Sequence, residues 1–331
     1  MPKIILPVMP PRRTRVTSIL ERCANELQAL SEVLLAGTED DPERQFGLRE
    51  AVPTLSGLLV SRPKIATVAA KTLANISNSE VHGADGRAFM VEHGTIHNLI
   101  HNLRPESEAT LEALYCLRSL AGYSVYKRTI VEHGALACLV ELLQSASSGP
   151  LVMAVVDLLD RVCNFTNSNK DALHAAGGVG PLVALLESAR SVAPVATVPH
   201  DGKQLENTAL VGVLLPLLNR LALRDGCRDA LHRAGAIPIL MAIIRDHIDP
   251  TLGERSPIDA VAYASHILGH MARGSSTRAR ALIDSTPSVR SHSDSNSARA
   301  LVDPRLYPGA AGPHHPLQLP SLCAQGPPYP P

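Results

Sequence analysis

The side chains best suited to metal chemistry in this chain are two pairs of histidines four residues apart, His97 with His101 and His266 with His270. On a helix this spacing places two imidazoles on one face, as in zinc-protease sites. Such sites carry glutamate directly after the first histidine, but asparagine and isoleucine follow here. No third ligand stands near either pair, so we expect solvated or groove-lining histidines and no metal.

Neither the cysteines nor the serines form a catalytic pattern. No G-x-S-x-G motif, phosphate-binding loop or cysteine with a histidine partner is found. The six cysteines are scattered, without the paired spacing of zinc or redox sites: Cys23, Cys116, Cys138, Cys163, Cys227 and Cys323. Most internal ones fall at apolar helical positions, where a reduced thiol packs as a small hydrophobe. The sequence therefore predicts a non-enzyme without a cofactor, in a reducing compartment.

Composition narrows the class of protein and of partner. The chain has 331 residues, of which 45% are hydrophobic and only 3% aromatic, with no Trp, which favours packed helices with an aliphatic core. Lys plus Arg and Asp plus Glu both number 31, so no net field attracts nucleic acid or an anionic membrane. No segment reaches about 18 uncharged apolar residues, so we expect no membrane insertion.

A short glycine-containing phrase recurs along the chain. It reads His-Gly-Thr-Ile at Gly94, His-Gly-Ala-Leu at Gly134, Ala-Gly-Gly-Val at Gly177 and Ala-Gly-Ala-Ile at Gly235. A weaker copy without glycine begins at Glu50, and the steps between copies are 44, 40, 43 and 58 residues. A period of this length predicts a helical solenoid, in which units bury their apolar faces by stacking.

Each unit is expected to contain a short helix ending near the glycine, a second helix beginning there, and a longer third helix. Glycine permits the sharp turn because it adopts positive φ. Pro53, Pro181 and Pro238 are expected in the first turn of the second helices. The predicted third helices are Ile65–Ile76, Ala109–Ala121, Leu151–Thr166, Thr208–Leu223 and Ile258–Ala272.

The remaining segments are assigned by composition and periodicity. Residues 1–14 are predicted to be disordered, 15–36 to form an N-terminal capping helix, and 41–285 to form the repeat array, which ends in the first helix of a sixth unit (278–284). Residues 188–207 are expected to be an inserted surface loop, and Pro216 to kink a third helix. The Pro- and Ser-rich segment 286–331 is predicted to be a disordered tail.

These units resemble armadillo repeats. The segment Leu73–Ser77 (Leu-Ala-Asn-Ile-Ser) is similar to the Leu-x-Asn-Leu-Ser ending of the family's third helix, and the glycine phrases resemble its turn into the second helix. HEAT-type repeats are the competing fold, but the three-helix unit with a glycine turn argues against them. The resemblance implies an all-α, right-handed superhelical solenoid of about five repeats with a disordered C-terminal tail.

The resemblance also implies a partner-binding groove lined by the third helices. In this family an asparagine on each third helix holds the backbone of an extended peptide. The equivalent residues would be Asn75, Arg118, Asn164, Asn219 and His270, and those one turn earlier Lys71, Leu114, Asp160, Leu215 and His266. The alternative is that the asparagines only bond the neighbouring helix and the groove is empty.

Two further features bear on the ligand. Nuclear-import adaptors of this family carry groove tryptophans for lysine side chains of the cargo, and the absence of Trp disfavours that role. Arg118, Arg161 and Arg220 indicate an acidic partner.

The predicted function is that of a non-catalytic adaptor that binds a peptide segment or folded domain of another protein, with no small-molecule substrate. One alternative is a regulator or exchange factor for a heat-shock chaperone or small GTPase, and another is a structural component of a cilium or other large assembly. The expected location is the cytoplasm, with the nucleus or the cytoskeleton and cilium as alternatives.

Overall fold

The computed structural model describes residues 25–26, 29, 42–79, 83–145, 149–191, 202–248 and 258–285. All regular secondary structure in these ranges is helical, and from Pro42 onward they contain fifteen helices. The bounds are α1 Pro42–Leu58, α2 Pro63–Asn78, α3 Gly83–Glu92, α4 Thr95–His101, α5 Thr110–Leu120, α6 Ser124–Glu132, α7 Ala135–Ser145, α8 Gly149–Cys163, α9 Asn167–Ala175, α10 Val179–Ser191, α11 Gly202–Ala222, α12 Asp225–Arg233, α13 Ala236–Ile248, α14 Ile258–Ala272 and α15 Ser276–Ser285.

Parts of the sequence prediction fall outside these ranges. The predicted disordered segments 1–14 and 286–331 lie outside the described residues. So does the predicted capping helix 15–36, apart from Asn25, Glu26 and Ala29, which are helical.

From α3 to α14 the helices form four successive three-helix units, as the repeat predicted. The third helices are α2, α5, α8, α11 and α14, and each packs against the next in this order. The predicted bounds of α14 are reproduced, and α15 is the first helix of the sixth unit. This succession places the carboxyl-terminal halves of the third helices side by side.

Glycines with positive φ make the turn between first and second helices. Gly94, Gly134, Gly177 and Gly235 have φ of 68°, 84°, 75° and 78°. At Gly177 the chain direction changes by 85° between α9 and the following α10. This left-handed conformation favours glycine because a Cβ would approach the next carbonyl oxygen. The predicted role of the glycine phrase is confirmed.

The core is aliphatic. Leu, Ala, Val and Ile fill it together with the buried Cys116, Cys163 and Cys227, and no aromatic side chain in the described part of the chain is fully buried. Burial raises the pKa of Cys116 to about 12. In the described ranges no single helix is long and apolar enough to cross a membrane.

The first unit departs from the predicted plan. A single helix, α1, runs from Pro42 to Leu58, through the position where the turn was expected at Glu50. Pro53 therefore lies inside α1 and not in the first turn of a second helix. Without a glycine, nothing favours positive φ here, and Val52 and Leu55 continue the buried stripe of the helix across the position.

Helices occupy part of the predicted insertion loop. Helix α10 continues to Ser191 and α11 begins at Gly202, so both ends of the 188–207 segment are helical, while residues 192–201 lie outside the description. The extension of α10 is explained by Ala189, which is buried and continues the apolar face of the helix. Helix α11 continues through Pro216, and the kink expected there stays a prediction.

The third helix of unit three ends earlier than the predicted Thr166. Helix α8 ends at Cys163, and Phe165 follows with φ of 60° and 94% of its surface exposed. Thr166 instead precedes α9, in extended conformation. The left-handed turn at Phe165 makes room for the next first helix.

The glycine turn predicts a clear stability difference between two glycine-to-alanine changes. Gly134→Ala should lower the free energy of unfolding by about 1–2 kcal/mol, because nothing lies within 4 Å of the added Cβ and only the positive φ is unfavourable. The control Gly212→Ala, at an open helical position inside α11, should raise it by about 0.5–1 kcal/mol. Urea unfolding followed by circular dichroism measures both, and equal effects would contradict the assigned turn.

Candidate functional site

The exposed face of the third helices has a regular register. In each helix one exposed or half-buried residue precedes a fully buried apolar one. The pairs are Asn75 before Ile76, Ser119 before Leu120, Arg161 before Val162, Arg220 before Leu221 and His270 before Met271. We call the first members, Asn75, Ser119, Arg161, Arg220 and His270, the groove face.

Four of the five predicted ladder residues lie on this face or beside it. Asn75 and His270 belong to it. Arg118 and Asn219 stand one position before Ser119 and Arg220, which rotates each by about 100° around its helix. The side chain of Asn219 is half-buried, and its Oδ1 has no hydrogen-bond partner in the described part of the chain.

Three predicted contact residues are corrected. Leu114 and Leu215 are fully buried in the core, where a partner cannot contact them. Asn164 lies beyond the end of α8, and its backbone carbonyl accepts a hydrogen bond of 3.2 Å from Lys127 Nζ. The equivalent residue on α8 is Arg161.

An open hollow of about 560 Å³ lies at the amino-terminal part of the groove face. It spans three successive third helices, α2, α5 and α8. Its lining residues are Lys71, Ala74, Asn75, Asn78, Glu112, Tyr115, Arg118, Ser119 and Arg161.

Several groups in this hollow are available to a ligand. Asn75 and Lys71 are exposed, and neither side chain forms a hydrogen bond or ion pair with another described residue. Tyr115 is 38% exposed and supplies an aromatic surface. The hollow thus offers amide, hydroxyl, aromatic and charged groups within one concave surface.

Ion pairs join neighbouring third helices along the groove face. Arg118 on α5 pairs with Asp157 on α8, and Arg161 approaches the same carboxylate at 3.4 Å. Further along, Arg220 on α11 pairs with the half-buried Asp160 on α8. The charge of Arg220 is therefore balanced by Asp160, whereas Arg118 and Arg161 share the one carboxylate of Asp157.

The histidine pairs do not converge with other ligands. His97 faces His133 of the next unit, with ring centroids 6.2 Å apart. On α14, His266 is exposed and His270 half-buried. Burial lowers the pKa of His270, with smaller contributions from Arg273 and His266. Within the described residues no three His, Cys, Asp or Glu side chains are placed to hold a metal ion.

Sequence reasoning missed a set of basic residues on the first helices. Each stands seven residues before a repeating glycine, or at the matching position of α15: Arg87, Lys127, Lys170, Arg228 and Arg278. All are buried except Arg228, whose side chain is only 13% exposed. The constant interval before the glycine was the available signal.

Most of these basic side chains bond the carboxyl ends of third helices. Arg87 donates to the carbonyl of Ser77, and Arg228 donates to that of Ala222 at 3.0 Å. Arg278 Nε donates to the carbonyl of Met271 at 2.8 Å. Carbonyls at a helix end have no hydrogen-bond donor within the helix and carry partial negative charge. A buried cation supplies both the missing donor and the opposite charge.

Lys127 and Lys170 vary this arrangement. Lys127 reaches the carbonyl of Asn164 beyond α8, and Lys170 bonds the side chain of Asn167 at 3.1 Å. Burial lowers the pKa of Lys127, and the nearby Arg161 and Arg220 lower it further. Both lysines keep a polar partner despite their burial.

No protein-family model and no curated protein sequence matches the chain. Solved structures do match its fold. A designed armadillo repeat protein superposes with a TM-score of 0.55 at 21% identity, over 75% of this chain and 92% of the other. A second, in complex with the peptide (KR)4, gives 0.53 and 19%, over 79% and 95%. A computationally designed armadillo repeat protein for modular peptide recognition gives 0.56 and 20%, over 76% and 98%. At these identities the likeness shows the fold alone.

The lowered pKa of His270 predicts a specific pH dependence of stability. Because its folded pKa lies below the unfolded value of 6.5, the neutral ring's contribution is present above about pH 6.5 and is lost as the pH falls through the folded pKa. The melting temperature of the wild type minus that of His270→Gln should therefore decrease from about pH 7.5 to about pH 5. A constant difference, measured by differential scanning calorimetry, would contradict the shift.

The buried cations predict a large effect from a single residue on α15. Arg278→Met removes the donors to two carbonyls, those of Met271 and Arg273, and should lower the free energy of unfolding by about 2–3 kcal/mol. Arg280→Met, at an exposed position on the same helix, is the control and should change it by less than about 0.5 kcal/mol. Urea unfolding compares the two variants, and similar losses would contradict the capping role.

Proposed function

Because the chain has the armadillo-type fold, an all-α solenoid of three-helix repeats, we propose that it is a non-catalytic scaffold that binds an extended segment of another protein. The observation that carries this proposal is the hollow across α2, α5 and α8. The hollow combines the unpartnered side chains of Asn75 and Lys71 with the aromatic ring of Tyr115. Polar groups of this kind can bond a peptide backbone, and the ring adds apolar contact area.

The side-chain amide of Asn75 favours a groove that binds a ligand over the alternative in which the groove is empty. If this amide served only to join helices, it would bond the neighbouring helix, yet it has no hydrogen-bond partner among the described residues. An amide can donate to a peptide carbonyl and accept from a peptide N–H at the same time. An extended segment presents both groups along its length.

The designed neighbours add a second line of support. One is a complex with the peptide (KR)4, and another was designed for modular peptide recognition. Because the sequences are only about 20% identical, we propose peptide binding for this chain with its own side-chain preferences.

The proposed location is the cytoplasm, with the nucleus or cytoskeleton as alternatives. Four described cysteines, Cys116, Cys138, Cys163 and Cys227, are free thiols. Burial raises the pKa of Cys163 to about 12 and that of Cys227 to about 11, which suits thiols that pack and do not react. This state agrees with a reducing compartment.

Selection of peptides tests the proposed function directly. The full chain is immobilised and used to select binders from a displayed library of random twelve-residue peptides. Ser119→Trp fills the hollow, and selected peptides should bind this variant at least about tenfold more weakly, because they lose both space and a hydroxyl. Fluorescence anisotropy measures the affinities.

The matched control is Ala137→Trp, at an exposed position on the second helix α7. It should leave peptide affinity unchanged within about twofold. If no peptide is enriched, or if both variants bind selected peptides as the wild type does, the proposed function is wrong.

A further inference from the structure

Ion pairs join the third helices in the middle of the array. Arg118 and Asp157 join α5 to α8, and Asp160 and Arg220 join α8 to α11. No ion pair joins α2 to α5 in the described part of the chain. Lys71 on α2 and Glu112 on α5 both line the hollow, and neither pairs with another described residue.

Positive charge exceeds negative charge on one side of this hollow. Arg118 and Arg161 share the single carboxylate of Asp157. Each guanidinium has five N–H donors, and the two side chains remain 44% and 39% exposed, so donors are left over for a ligand. Lys71 adds a third cation.

The one carboxylate of the lining, Glu112, lies apart from the two arginines. It stands six residues before Arg118 on α5, about 9 Å along the helix axis. Its charge is therefore separated from the guanidinium groups of Arg118 and Arg161. The cationic end also contains the amide of Asn75 and the hydroxyl of Ser119, two neutral donors suited to an oxyanion.

We propose that this cationic end, formed by Lys71, Arg118 and Arg161, is an anchor site for an oxyanion carried by the bound segment. The oxyanion is a side-chain carboxylate or the phosphoryl group of a phosphorylated serine or threonine. The inference rests on the proposed function and adds the chemistry of the residue that fixes the segment in register. Ion pairs on an open surface are weak, so the anchor acts together with the backbone contacts of the same segment.

Labelled peptides of equal length test this anchor on the full chain. The four probes are a Ser-Glu repeat, the same repeat with phosphoserine for its central glutamate, a Ser-Gln repeat and a Ser-Lys repeat. Anisotropy at low salt should show the two acidic peptides binding at least about tenfold more tightly than the Ser-Gln peptide. A further gain for phosphoserine assigns the site to phosphoryl groups, and equal binding assigns it to carboxylates.

Charge-matched variants locate the effect. Lys71→Gln and Arg118→Gln should each weaken acidic-peptide binding by about tenfold. Lys71 makes no ion pair with a described residue and is exposed, so its variant is expected to melt as the wild type does. Arg128→Gln removes the same charge from α6, where Arg128 pairs with Glu132 four residues on, and should change binding less than about twofold.

Two results would overturn the anchor site. One is acidic peptides binding no more tightly than Ser-Gln, and the other is Arg128→Gln weakening binding as much as Lys71→Gln does. If the Ser-Gln or Ser-Lys peptide binds at least as tightly as the acidic peptides, and this binding is lost in Ser119→Trp, the proposed function holds while the anchor fails. If peptides chosen from the random library also fail to bind, the proposed function fails as well.

Discussion

The stack of repeats depends on how the carboxyl end of each third helix is satisfied. These ends are packed inside the array, where a carbonyl without a hydrogen-bond donor is costly. Arg87, Arg228 and Arg278 supply the donor from the first helix of the following unit, together with a positive charge against the helix dipole. The same contact thus closes one repeat and positions the next. The glycine turn then directs the second helix away from this junction.

The groove face lies in the last turns of the third helices, next to these capped ends. Along most of this surface the chain uses its own charges to join neighbouring helices, through Arg118 with Asp157 and Arg220 with Asp160. In the hollow, Lys71, Asn75 and Glu112 form no such contact with another described residue. Side chains that are not engaged with a neighbouring helix are free to contact a ligand.

The repeat period and the glycine turns were predictable because both are local properties of the sequence. The groove register was not, since one residue of error turns a side chain by about 100°, from solvent into the core, as Leu114 and Leu215 show. The ion pairs could not be predicted either, because Arg118 and Asp157 lie on different helices whose relative position is set by packing. In the first unit, the phrase at Glu50 lacks the glycine that favours positive φ, and the helix continues through it.

The arrangement at α15 has a mechanical consequence. Units of a solenoid contact only their neighbours, so a pulling force on the two ends passes through every junction in series. The last described unit is a single helix, α15, which packs on α13 and α14 and bonds the end of α14 through Arg278. Under tension we therefore expect α15 to detach before the junctions between complete three-helix units yield.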